Sequence, residues 1–147
     1  MIHNRLKCGK SFRFVENLKD REFCSCREVE SLKHILVYCK DSEVEKVWDE
    51  ISKIWNSTKG TKWIQPSVGM IKGIGTMAIT QDERKLKQTM ERYKPIVTET
   101  VWTIWKLRNR KIFEGTPTNF ENTMKTWKKG IEKKDTDRTH RDKANAI

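Results

Sequence analysis

The stretch CSCREVESLKHILVYC, residues 24–39, contains three of the chain's four cysteines and one of its three histidines. The four side chains of metal-ligand type are Cys24, Cys26, His34 and Cys39. Thiols and an imidazole this close together in a lysine-rich chain indicate a metal site, and this donor set is typical of zinc. Four protein ligands leave no open coordination position, so the predicted site is a structural zinc knuckle. Cys8 and His3 are reserve ligands at best.

The spacing leaves an alternative open. One residue separates Cys24 from Cys26, whereas zinc hairpins usually place two to four residues between the first ligands. On an ideal helix over residues 31–38, Cys39 lies about 140° round from His34, so both reach one ion only if the helix ends near Tyr38. Otherwise the cluster is incidental and Cys39 is a small buried apolar side chain.

No catalytic residues are predicted. A nucleophilic cysteine or a histidine base needs partners that activate and orient it, and no such set can be assembled from this sequence. The chain is therefore not expected to be an enzyme, and a small hydrolase is the least favoured function.

The composition indicates one small domain with a charged surface. The chain has 147 residues, of which 35% are apolar and 35% are charged, so its core must be thin. Six tryptophans partly offset this, because each can bury a large apolar area.

The charge balance indicates a polyanionic partner. Lysine and arginine number 31 against 20 acidic residues, a net charge of +11, which favours nucleic acid ahead of an anionic membrane. No apolar run approaches the roughly 20 residues that span a bilayer, and the first residues lack a signal-peptide core. The sequence thus predicts an intracellular protein, nuclear or cytoplasmic, with no membrane partner and with reduced cysteines.

Helical periodicity covers most of the remaining chain. Residues 42–55 form the clearest amphipathic helix, and Ser42 with Glu45 fits a capping box. Glycine and proline between residues 56 and 80 predict a long central loop. Residues 82–93 indicate a charged helix, Pro95 a kink or a fresh start, and residues 96–114 a second strong helix.

The C-terminal part predicts one more helix. Thr118 or Asn119 can cap it, and its helically spaced apolar residues run from Phe120 to Ile131. The expected fold class is mainly α: a small helical domain with an N-terminal zinc-knuckle-like segment and a long central loop. Residues 1–41 carry the knuckle, residues 42–134 pack with them as one domain, and residues 135–147 are expected to be a disordered tail.

Cations interleave with apolar residues over residues 105–113, where a helix is predicted to end. One interpretation is a core helix whose basic side chains extend to solvent. The other is a face that contacts nucleic-acid phosphates without reading base sequence. The candidates in this helix and the next are Lys106, Arg108, Arg110, Lys111, Lys128 and Lys129.

Three segments together resemble a known family: residues 24–39, residues 63–73, and residues 99–109. In order and type they are similar to the cysteine/histidine region near the C-terminus of LINE-like (non-LTR) retrotransposon polyproteins of fungal type, related to reverse-transcriptase zinc-binding domains. The resemblance spans most of residues 5–113. It implies that the zinc ligands are Cys24, Cys26, His34 and Cys39.

The resemblance also implies what the chain lacks. Such polyproteins carry an endonuclease, a reverse transcriptase and often a ribonuclease H before this region, and their catalytic acidic residues have no counterpart here. The expected function is a detached, non-catalytic C-terminal module that binds RNA or DNA through the backbone. The alternative is a structural module that packs against the reverse transcriptase or ribonuclease H portion, which an apolar patch at Trp102, Trp105 and Trp127 would favour.

Overall fold

A computed structural model describes residues 7–58, 61–74 and 84–146. Within these ranges the chain is predominantly helical and forms no strand, with one isolated bridge between Phe23 and Val29. The mainly α fold predicted from the sequence is confirmed. The α-helices are α1 Val44–Ser57, α2 Val68–Gly73, α3 Arg84–Glu114 and α4 Phe120–Asn145. Shorter helical turns are Gly9–Phe12, Glu16–Glu22 and the π-turn His34–Tyr38.

Helix α1 buries the apolar face that its periodicity predicts, including Val47, Trp48 and Ile51. The predicted capping box is wrong. The helix begins at Val44, and its N-cap is Glu43, which has φ 52° and makes no side-chain cap. The Glu43 carboxylate instead accepts a hydrogen bond from the Phe120 backbone N–H, at 3.0 Å, and so caps α4.

Helix α3 runs through Pro95 without a break, so of the two alternatives, a kink or a fresh start, the fresh start is not found. Proline removes one backbone donor from the helix. Tyr93 and Val97, on either side of it, are both buried. Packing on this face stabilises the continuous helix against the local cost of proline, which is about 3 kcal/mol in a helix interior.

Helix α4 begins as predicted and ends later. The Asn119 side chain accepts a hydrogen bond from Asn122 N at 2.9 Å, an N-cap. Residues 135–145 continue the helix in place of the disordered tail that their polarity had indicated. Acidic and basic residues at helical spacing, such as Asp137 and Arg141, favour this continuation.

Aromatic rings fill the centre of the core. Trp63 lies with its ring centroid 5.2 Å from Tyr93, 5.8 Å from Trp55 and 6.3 Å from Trp48. The predicted central loop therefore contributes a core residue, and it also contains the short helix α2. Its residues 75–80 lie outside the described ranges.

The N-terminal segment forms two short 3-10 turns, Gly9–Phe12 and Glu16–Glu22, and Phe14 between them is 90% exposed. The reserve ligand His3 lies outside the described ranges. The π-turn His34–Tyr38 packs against both α1 and α3, which places the metal-ligand residues at the junction of these helices.

Candidate metal centre and cationic surface

A tight turn presents the first two thiols. The Cys24 N–H donates to Glu28 O at 2.8 Å, and the Arg27 N–H donates to Cys24 O at 2.8 Å. Arg27 adopts a left-handed conformation with φ 70°. The turn lies between the two residues of the Phe23–Val29 bridge, so backbone hydrogen bonds fix the loop that carries Cys24 and Cys26.

The π-turn presents the other two ligands. The Cys39 N–H donates to His34 O at 2.8 Å, which is the i to i+5 hydrogen bond of a π-helix. This wider turn brings residue i+5 round toward the side of residue i, which a regular α-helix does not do. The helical turn ends at Tyr38, as was required for His34 and Cys39 to reach one ion.

The four donor atoms of Cys24, Cys26, His34 and Cys39 all lie within 4.8 Å of one another. Cys24 Sγ is 3.6 Å from Cys39 Sγ, and Cys26 Sγ is 3.3 Å from His34 Nε2. Ligands bound tetrahedrally at the usual zinc distances stand about 3.5–3.8 Å apart. The cluster is therefore able to bind a metal ion, and these two separations are close to those of a tetrahedral site.

Glu28 orients the histidine ligand. Its Oε2 lies 3.2 Å from His34 Nδ1, which leaves Nε2 directed at the thiols. A carboxylate on the far nitrogen of a metal-binding imidazole fixes its tautomer and raises its basicity. The sequence analysis did not identify this role for Glu28, because its distance from the imidazole depends on the turn at residues 24–28.

The thiols influence one another's ionisation. The hydrogen bond between Cys24 and Cys39 lowers the pKa of Cys24 and raises that of Cys39, because the shared proton stays on Cys39. Burial raises the pKa of the Cys26 thiol. A bound cation favours all three thiolates, which is the electrostatic role that a metal ion would have here.

Lys111 connects α3 to the metal-ligand turn. Its Nζ donates to Ser25 Oγ at 2.9 Å and pairs with Asp41. Its hydrogen bond lowers the pKa of the Asp41 carboxyl, and the bond from Ser25 adds to this. Ser25 lies between Cys24 and Cys26, and Asp41 follows Cys39 by two positions. Lys111 therefore connects the segments on which these cysteines lie, without contacting the cysteines as a ligand would.

Arg108 occupies a buried ion pair. It is 8% exposed, and its guanidinium donates to both carboxylate oxygens of Glu30, with Nε 3.2 Å from Oε2. The same carboxylate accepts a hydrogen bond from the Gly9 N–H at 2.8 Å. This contact joins α3 to the N-terminal segment and leaves Arg108 little access to a ligand's phosphate.

The other predicted phosphate contacts are more accessible. Lys106 is half-buried, whereas Arg110, Lys128 and Lys129 are exposed. Helix α4 carries eight lysines and arginines against five acidic residues, and all eight basic side chains are exposed. Exposed positive charge is therefore present on α4 and at Arg110 near the end of α3, as it is along residues 7–40.

The remaining candidates from the sequence occupy different environments. Cys8 is buried in the core and is not part of the metal-ligand cluster. Trp102 is 55% exposed, but Trp105 and Trp127 are buried. Trp127 Nε1 donates to Thr100 Oγ1 at 2.9 Å and fastens α4 to α3.

Among the described residues, no helix combines the length and the apolar character needed to cross a membrane. Comparison with protein-family models, curated proteins and solved structures finds no match to this chain.

Proposed function

We propose that this chain is a non-catalytic nucleic-acid-binding module whose cysteine/histidine cluster holds a structural zinc ion. The observation that supports the binding function is the excess of exposed cations on α4, where eight lysines and arginines and five acidic residues all reach solvent. A net charge of +11 gives this surface a long-range attraction for polyanions.

Zinc is the proposed metal because three thiolates and an imidazole match its preference for nitrogen and sulfur ligands in tetrahedral geometry. Cys24, Cys26, His34 and Cys39 would fill its coordination shell, so the ion would serve folding and not catalysis. It would fix the turn at residues 24–28 to the π-turn, and through Lys111 and Asp41 to the end of α3.

Binding would occur through phosphates. Arg110, Lys128 and Lys129 carry exposed cations, and Lys106 reaches solvent in part. Cations that contact phosphates release condensed counterions, so affinity falls steeply with salt and depends little on base sequence. Arg108 and Lys111 contribute indirectly, since their contacts with Glu30 and Asp41 hold the frame.

Fluorescence anisotropy with a labelled DNA duplex tests this function. With about four phosphate contacts, raising salt from about 50 to about 200 mM should weaken binding on the order of 100-fold. Lys128→Gln with Lys129→Gln should weaken binding and reduce the salt slope. Lys46→Gln with Lys53→Gln removes the same charge from α1, where each lysine pairs with a glutamate, and should have less effect. Absent binding, or affinity independent of salt, would show that the proposal is wrong.

We propose further that the module derives from the C-terminal region of a non-LTR retrotransposon polyprotein. The resemblance of residues 24–39, 63–73 and 99–109 to such polyproteins supports this origin. RNA or DNA of the element, and the other domains of the polyprotein, would then be its partners.

The alternative function, packing against the reverse transcriptase or ribonuclease H portion, is favoured by one observation. Trp102 on α3 is 55% exposed, a large apolar area to leave in water. Trp105 and Trp127 do not extend it, since both are buried. Trp102→Gln should leave nucleic-acid affinity unchanged if the first function is right.

A further inference from the structure

A groove of about 600 Å³ lies between the N-terminal segment and the C-terminal half of α3. Its volume is within the range of small-ligand clefts. Apolar side chains along it include Phe12, Phe23, Ile112 and Phe113, and the ligands Cys24, His34 and Cys39 contribute to its lining. The groove is therefore adjacent to the metal cluster without being part of the coordination site.

Two phenylalanine rings in this groove are open to solvent. Phe23 is 53% exposed and Phe113 is 66% exposed. The Arg21 guanidinium carbon lies 5.9 Å from the centroid of the Phe113 ring. A guanidinium and aromatic rings along one groove are the groups on which proteins stack flat, electron-rich ligands.

The charges along the groove favour an anionic ligand. Its lining carries four basic side chains against two acidic ones. Arg108 pairs with Glu30, and Lys111 pairs with Asp41, which lies outside the lining. Arg21, which lies over the ring of Phe113, and the exposed Lys7 then remain against one acidic residue, Asp20. An apolar protein segment would not use these cations, but a nucleotide supplies both a planar base and a phosphate.

We propose that this groove binds an unpaired base of single-stranded nucleic acid, with Phe113 and Phe23 as its stacking surfaces. The inference rests on the proposed function and specifies its substrate class. A duplex covers the faces of its bases with their neighbours, so only a single strand can present a free base face to these side chains. The flanking phosphates would meet Lys7 and Arg21 within the groove and Arg110 beyond it.

The test compares a labelled dT oligonucleotide of about twelve nucleotides, within the usual range of site sizes, with a duplex of similar length. Phe113→Ala should weaken binding of the single strand by roughly 5- to 150-fold, the loss associated with one stacked base, and leave duplex binding unchanged. Phe14→Ala is the matched control, because Phe14 is 90% exposed and does not line the groove. Phe113→Trp retains a stacking surface and should restore single-strand affinity.

The outcomes that would overturn the inference distinguish a failure of base stacking from a failure of nucleic-acid binding. Equal losses for single strand and duplex, or no loss with Phe113→Ala, would reject base stacking while the phosphate-binding function stands. Failure of the wild type to bind either probe would reject both. A concentration-dependent dimer, seen by sedimentation and abolished by Phe113→Ala, would assign the groove to a second copy of the chain.

Discussion

Two regions of this molecule are stabilised by different interactions. At the cluster end, which comprises residues 7–43 and the end of α3, the four candidate metal ligands lie together within residues 24–39, and the Glu30–Arg108 and Asp41–Lys111 ion pairs join this segment to α3. In the aromatic core, Trp48, Trp55, Trp63 and Tyr93 pack ring against ring between α1, the central loop and α3.

The contrast predicts where stability depends on solution conditions. Ring packing buries apolar surface and needs no ion, so the aromatic core should persist when metal is removed. The cluster end leaves Phe14, Phe23 and Phe113 exposed and buries the charged groups of Glu30 and Arg108. Its order should therefore depend on the proposed metal ion and on the pairing of those charges.

Removal of the proposed zinc ion should have the largest effect. Because a structural zinc site contributes on the order of 10 kcal/mol to the folding of small domains, chelation should unfold the cluster end. Hydrogen exchange measured by mass spectrometry should show lost protection over residues 7–43 and retained protection in α1. Cys26→Ser should have the same effect and lower the metal content found by mass spectrometry.

Cys8→Ser is the matched control for this prediction. Cys8 is buried at the same end but lies outside the cluster, so its variant should keep the metal. A wild-type protein that is free of metal and fully protected over residues 7–43 would contradict the contrast between the two regions.

Breaking the buried ion pair should have the next largest effect. Arg108→Met leaves the Glu30 carboxylate buried without its cation, which costs about 3–5 kcal/mol. Arg110→Met, at an exposed position two residues later, should change the free energy of unfolding by less than about 0.5 kcal/mol. Urea unfolding followed by circular dichroism measures both. Equal effects would show that the charge of Glu30 reaches solvent or another partner.

Much of the fold follows from local periodicity, and the errors come from long-range contacts. The apolar faces of α1 and of the second half of α3 are encoded in their own spacing, so both helices were predicted. The prediction of a Ser42 capping box failed because α1 begins at Val44, after Glu43 in a left-handed conformation. The Glu43 carboxylate caps a helix 77 positions away. The prediction of a fresh helix start at Pro95 was wrong, because Tyr93 and Val97 are buried on either side of it and their packing stabilises one continuous helix.

The cluster was predicted more completely than the cationic surface. The close spacing of four ligand-type residues is a local signal, although the π-turn that brings His34 and Cys39 together is not visible in residue types alone. The roles of the basic residues depend on acidic partners far along the chain. Arg108 pairs with Glu30 and Lys111 with Asp41, so half of the predicted cations of α3 stabilise the fold.

The smallest predicted effect concerns the one titratable ring of the aromatic core. Tyr93 is buried, and its hydroxyl donates to Ile64 O at 2.7 Å. Tyr93→Phe should therefore lower the free energy of unfolding by about 1 kcal/mol near pH 8.

This difference should disappear in alkali. Burial raises the pKa of Tyr93 to about 12, above the value of about 10 in an unfolded chain. The folded state holds this proton more tightly, so its contribution is complete below pH about 10 and is lost as the pH approaches about 12. Urea unfolding at several pH values should show the wild-type advantage over Tyr93→Phe shrinking across that window. Tyr38→Phe, at an exposed ring, should change stability little, and a constant wild-type advantage over Tyr93→Phe would mean that the ring is open to water.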